Sequence, residues 1–155
     1  MNSRSMTRIG LILIVVAGLA IDAYVHFHLA SAFKNNKTST LSEADLFRAE
    51  ATVAIIAAVA LLIRPRRYTA AFAFLVAAAG FAAVLVYRYV DIGSFGPIPG
   101  MYDPYWVPTE KMVSVVGEGV AALAALALVV MFSSRTSGAA GLSQPPRRSI
   151  ALRRS

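Results

Sequence analysis

An all-α, integral membrane four-helix bundle is the fold this sequence predicts, and three observations predict it. Hydrophobic residues make up 57% of the 155, above the roughly 45 to 50% of soluble domains. They gather into four long segments, each near the roughly 20 residues that cross a hydrocarbon core, the first only if its helix continues past 13 unbroken apolar residues. The stretches between and flanking them hold all of the proline and most of the charge. Cysteine is absent, which excludes disulfide exchange, thiolate metal sites and cysteine nucleophiles. There is no GxxxxGK[ST] loop to hold a nucleotide.

The first run, Ile9 to Ile21, has 13 residues and covers only about 20 Å of a core about 30 Å thick. The helix must therefore continue to about Ala30, which draws Asp22 and His26 below the membrane surface. Residues 1–8 form a basic lead with Arg4 and Arg8. A secretory signal ending at Ala30-Ser31-Ala32 is the competing reading. The long stretch after the apolar core, with its bulky aromatics, favours a retained span.

The second span, about 44–63, starts at a capping box made by Thr40 with Glu43 or by Ser42 with Asp45. Arg64-Pro65-Arg66-Arg67 ends it. The third, about 68–90, is rich in alanine, has Gly80 in its middle and closes with Tyr87-Arg88-Tyr89. A loop rich in proline and glycine follows. In it Asp103-Pro104 suits the start of one short helical turn, and Tyr102, Tyr105 and Trp106 suit anchors at the lipid headgroups. The fourth span is about 109–132. Residues 133–155 read as a disordered basic tail that folding does not need. The spans, 9–132, make one domain.

Ten of the fifteen basic residues fall in the lead, the 64–67 turn and the tail. Basic residues mark the cytoplasmic side, so both termini are expected inside. All eight acidic residues then lie in the outer half. Counted from the inner boundary, 13 residues precede Glu50 on the second span (Ile63 to Ala51). The fourth span has 13 (Phe132 to Val120), then Gly119 and Glu118. Asp22, Glu50 and Glu118 are thus at nearly one depth, where a lipid-facing carboxylate is disfavoured by up to about 2.5 to 3.5 kcal/mol. They should face inward. Gly18, Asp22 and His26 share one helical stripe, as do Ser114, Glu118 and Ala122. His28 stands about 120° away. Arg48 points away from Glu50, and Arg88 can pair with Asp91 or reach toward the carboxylates.

The runs IDAYVHFHLA, LFRAEA and YRYVDIGSFGPIPGMYDPYW resemble those of uncharacterised small four-helix membrane proteins of actinobacteria, across roughly Ile9 to Phe132. The layout is also similar to DoxX-like proteins, in topology alone. DoxX-like proteins are linked to quinone or thiosulfate redox chemistry. Without a cysteine or a DoxX motif, no activity carries over. What the resemblance implies is a multi-pass protein of a bacterial plasma membrane.

The candidate pocket is Asp22, His26, Glu50, Arg88 and Glu118, open to the outer face. The leading expectation is a non-enzymatic binding or accessory subunit. The alternatives are a metal- or quinone-linked redox subunit and a proton- or cation-coupled transporter component. A structural polar network is the plain reading of the same residues. Asp22, His26, Glu50 and Glu118 have ligand types suited to Zn, Mn or Fe, but two histidines make no specific metal spacing, so no cofactor is expected. The expected partners are the lipid bilayer and a second membrane protein or copy of this chain, not nucleic acid. Asn36-Lys37-Thr38 is a glycosylation acceptor only in a eukaryotic secretory setting.

Overall fold

A computed structural model describes residues 3–106 and 109–141, with side chains as far as residue 134. Four helices follow one another: α1 (Ser3–Ala30), α2 (Glu43–Ile63), α3 (Arg67–Tyr89) and α4 (Thr109–Gly141). All are long and apolar enough to cross a membrane, and together they form a membrane four-helix bundle. The basic lead belongs to α1 rather than preceding it. At the other end α4 runs on past Phe132 to Gly141. The expected tail from residue 142 onward lies outside the described residues.

Local chemistry sets the helix boundaries. Of the two capping boxes open in the sequence, Ser42 with Asp45 is the one that forms: Asp45 N donates to Ser42 Oγ (3.2 Å) and Ser42 N donates to Asp45 Oδ2 (3.1 Å). This leaves Glu43 free to turn inward, where it is buried and its Oε2 accepts from Asn36 Nδ2 at 2.6 Å. The α2–α3 turn closes on Thr69, whose hydroxyl donates to Arg64 O (2.6 Å) and accepts from Arg66 N (3.1 Å). Pro65 cannot continue a helix, so the chain reverses there.

The helices pack as a ring, α1 on α2, α2 on α3, α3 on α4 and α4 on α1, with α2 and α3 touching least. Small side chains fill the inside, among them Ala54 and Ala57 on α2, Ala73 and Ala77 on α3, and Ala121 and Ala125 on α4. Large ones such as Leu13, Ile56, Leu75 and Leu123 face outward. Lipid is as apolar as leucine, so burial from lipid gains little. Small residues instead let backbones approach until dispersion accumulates. The tightest approach is at Gly18 of α1. A Cβ placed there would lie 2.6 Å from Gly117 O and 2.8 Å from Ala121 Cβ.

Both long connections lie at one end. Thr38 Oγ1 donates to Pro97 O and Asn36 Nδ2 to Gly100 O, each at 2.8 Å, which stitches the two loops together. Lys111 Nζ donates to Asp103 O, Asp103 Oδ2 and Tyr105 O at 2.8–3.1 Å. Asp103 N in turn donates to Tyr87 O (3.0 Å), tying the loop to α3. The short helical turn expected at Asp103-Pro104 is not formed. Asp103 Oδ1 accepts from Tyr105 N (3.2 Å), as an N-cap does, but Lys111 Nζ takes the Asp103 carbonyl oxygen (2.9 Å), the acceptor that the first helical bond needs. At the opposite end the Arg8 guanidinium lies over the Phe132 ring at 5.8 Å.

Candidate functional site

The Gly18 contact decides which polar residues meet. Asp22 is one turn beyond Gly18 on α1, and Ser114 and Glu118 flank Gly117 on α4, so closing the two backbones brings all three together. Ser114 Oγ is 3.2 Å from Asp22 Oδ1 and 3.2 Å from Glu118 Oε1. The three side chains are at most 2% exposed. Ser114 has one proton to donate, so it can donate to only one of the two carboxylates at a time, and the other contact needs a proton on that carboxyl group or a cation between the groups.

His26 lies one further turn along α1. Its Nδ1 is 2.7 Å from Asp22 Oδ1 and 3.0 Å from Asp22 O. Phe47 of α2 holds the imidazole edge-on at 5.1 Å and itself packs on Phe33 at 5.3 Å. One donor atom each from Asp22, His26 and Glu118 fall within 4.8 Å of one another. Glu50 approaches from α2 across Gly80 of α3. A Cβ on Gly80 would be 2.9 Å from Glu118 Oε1 and 3.3 Å from Glu50 Oε1, so the missing side chain is what makes room for both carboxylates. Among the described residues, Glu50 Oε1 and Glu118 Oε2 are buried and accept no hydrogen bond. A buried acceptor left unpaired typically costs about 1–3 kcal/mol, more when it is charged.

Above this floor is a cavity of about 460 Å³. It occupies the space between α2 and α3, the least packed neighbours, and reaches up to the stitched loops. Its walls include Leu46, Val53, Val84 and Met101. His26, Glu50 and Ser114 supply polar groups on one side, and Glu43, Asp103 and Lys111 supply them near the loops.

Asp22, His26 and Glu118 therefore come together, with Glu50 beside them, while Arg88 stands apart. Its guanidinium lies over Tyr89 (5.0 Å) and Trp106 (5.3 Å), because ring faces at the loop end attract a cation. Among the described residues it makes no ion pair with Asp91 or with a carboxylate of the cluster, and Asp91 Oδ1 instead accepts from Gly93 N (3.0 Å). Arg48 pairs with Asp45 at 3.2 Å, away from Glu50. His28 stacks on Tyr24 at 5.8 Å. Of the aromatic anchors, Tyr102 and Tyr105 are exposed, whereas Trp106 packs on Tyr89 with Arg88 and Lys111 over its ring. The Asn36 amide, which would carry a glycan, is engaged by Glu43 and Gly100.

Sequence reading assigned no site role to Ser114, Gly80 or Lys111. The signal for Ser114 and Gly80 was present: Ser114 shares the Glu118 stripe, and Gly80 is the one glycine in the middle of an alanine-rich span. Lys111 carried none, because a loop partner eight residues away has no periodicity. No protein-family model, curated protein or solved structure matches this chain.

Proposed function

We propose that this membrane protein is a non-enzymatic binding or accessory subunit of a bacterial plasma membrane. Its cavity receives a small molecule with an apolar body and a polar head. One observation carries the reading: an apolar-walled cavity of about 460 Å³ is lined by Glu50, whose buried Oε1 accepts no hydrogen bond among the described residues. Its size falls in the range of about 300–1,000 Å³ of small-molecule sites, and apolar walls with a few polar groups are their usual chemistry.

The test is a photoactivatable alkyl diazirine bearing a terminal amine, applied to the protein in nanodiscs. Labelling should fall on cavity positions such as Leu46, Val84 and Met101, and Ala83→Trp should remove it by filling the space. Labelling confined to outward positions such as Leu75 and Leu123, or unchanged by Ala83→Trp, overturns the proposal.

In the orientation we propose, both termini are cytoplasmic and the stitched loops, with the cavity beneath them, face outward. The arginines of the lead and of the 64–67 turn support it. Reporter fusions after Asn36 and after Ser133 should then report opposite compartments. Equal signals at the two positions are the contrary result.

A further inference from the structure

We propose that Asp22, His26 and Glu118 bind one divalent transition-metal ion just beneath the cavity, which His26 itself lines. Three independent helical features bring these donors together: the Gly18 contact, the i, i+4 step from Asp22 to His26, and the placement of Glu118 opposite Gly80. One donor atom from each lies within 4.8 Å of the others, close to the at most about 4.4 Å that separates two donors on one ion with bonds of about 2.0–2.2 Å. A second observation points to a ligand. Glu118 has no exposed surface, and among the described residues its Oε2 accepts no hydrogen bond.

Charge points the same way. No lysine or arginine pairs with the cluster among the described residues, since Arg88 lies over aromatic rings and Lys111 bonds Asp103. Two carboxylates with a neutral imidazole and a divalent ion make a neutral assembly when Glu50 carries its proton, the charge state that costs least inside a membrane. Nitrogen with carboxylate oxygen suits Mn(II), Fe(II) or Zn(II) rather than Ca(II) or Cu(I). Phe47 orients the imidazole from behind, and Ser114 steadies both carboxylates. Glu50 faces the ion across Gly80, on the side open to the cavity. The ion site deepens the ligand reading and rests on it only for access through the cavity.

Mn(II) is the probe. Chelator-stripped full-length protein in nanodiscs is titrated while electron paramagnetic resonance counts the free ion. One Mn(II) per chain is expected, and pulsed spectra of the bound ion should show one directly coordinated imidazole nitrogen. His28→Gln should retain that nitrogen and His26→Gln should lose it. Glu118→Gln should weaken binding by about 100-fold or more, beyond the 10–100-fold typical of outer-shell partners. Gly80→Ala keeps every donor but places a methyl group where the Glu118 carboxylate sits, and should also weaken binding.

Absence of bound Mn(II), or bound Mn(II) without nitrogen coupling, overturns the site on wild-type protein alone, whatever the variants do. Nitrogen coupling that survives His26→Gln overturns it as well. Diazirine labelling is read on the stripped protein. A failure of labelling with Mn(II) bound thus counts against the ligand reading, and the reverse result against the ion.

Discussion

Replacing Gly18 with alanine is expected to destabilise the bundle by about 1–3 kcal/mol, the usual cost of forcing a methyl group into a filled interior. The reciprocal change, Gly117→Ala, should cost less than about 1 kcal/mol. The two glycines face each other, yet they are not equivalent. A Cβ on Gly18 would lie 2.6 Å from a backbone oxygen that cannot rotate away, whereas one on Gly117 would meet Gly18 O and the Ile21 side chain at an ordinary 3.5 Å. Denaturant titration of both variants in mixed micelles measures the difference. Equal losses would show that α1 and α4 meet elsewhere. Because the same approach sets Asp22 beside Glu118, Gly18→Ala should also loosen Mn(II) binding, although all three donors remain.

Ser114→Ala is expected to cost about 1–3 kcal/mol, because two buried carboxyl groups lose the hydroxyl between them. In a Glu118→Gln background the same change should cost less. Glutamine is neutral, and its amide can donate to Asp22 Oδ1 in place of the serine. The two substitutions should therefore be coupled by at least about 0.5 kcal/mol, as expected of residues in one hydrogen-bonded network. Unfolding midpoints of the two single variants and the double variant provide the cycle. Strict additivity would mean that Ser114 does not bridge the carboxyl groups.

That the three carboxylates share a level was legible because helical rise is constant. Counting 13 residues from the basic ends brings Glu50 and Glu118 near the level of Asp22, and in the fold Glu118 meets Asp22 while Glu50 faces Glu118 across Gly80. Direction was less legible. Arg88 has the reach to join the carboxylates, but Tyr89 and Trp106 hold it at the loop end. Asp103-Pro104 has the composition of a helix start, but Lys111 takes the Asp103 carbonyl oxygen. In both places the deciding partner was a side chain or backbone group whose position the local pattern does not encode.

By itself the sequence determined that the chain has four helices long and apolar enough to cross a membrane, where α2 and α3 begin and end, and that Asp22, Glu50 and Glu118 share nearly one level along the bundle. Apolar length, proline, capping residues and a fixed rise per residue settle these within a single segment. Only the tertiary structure decided that Gly18 meets Gly117, that Ser114 lies between Asp22 and Glu118, and that α2 and α3 leave a cavity above them. Those outcomes depend on the rotation of each helix about its axis. That rotation is set by how closely small residues let neighbouring backbones approach, and large apolar side chains face lipid on the other side with almost no preference of their own.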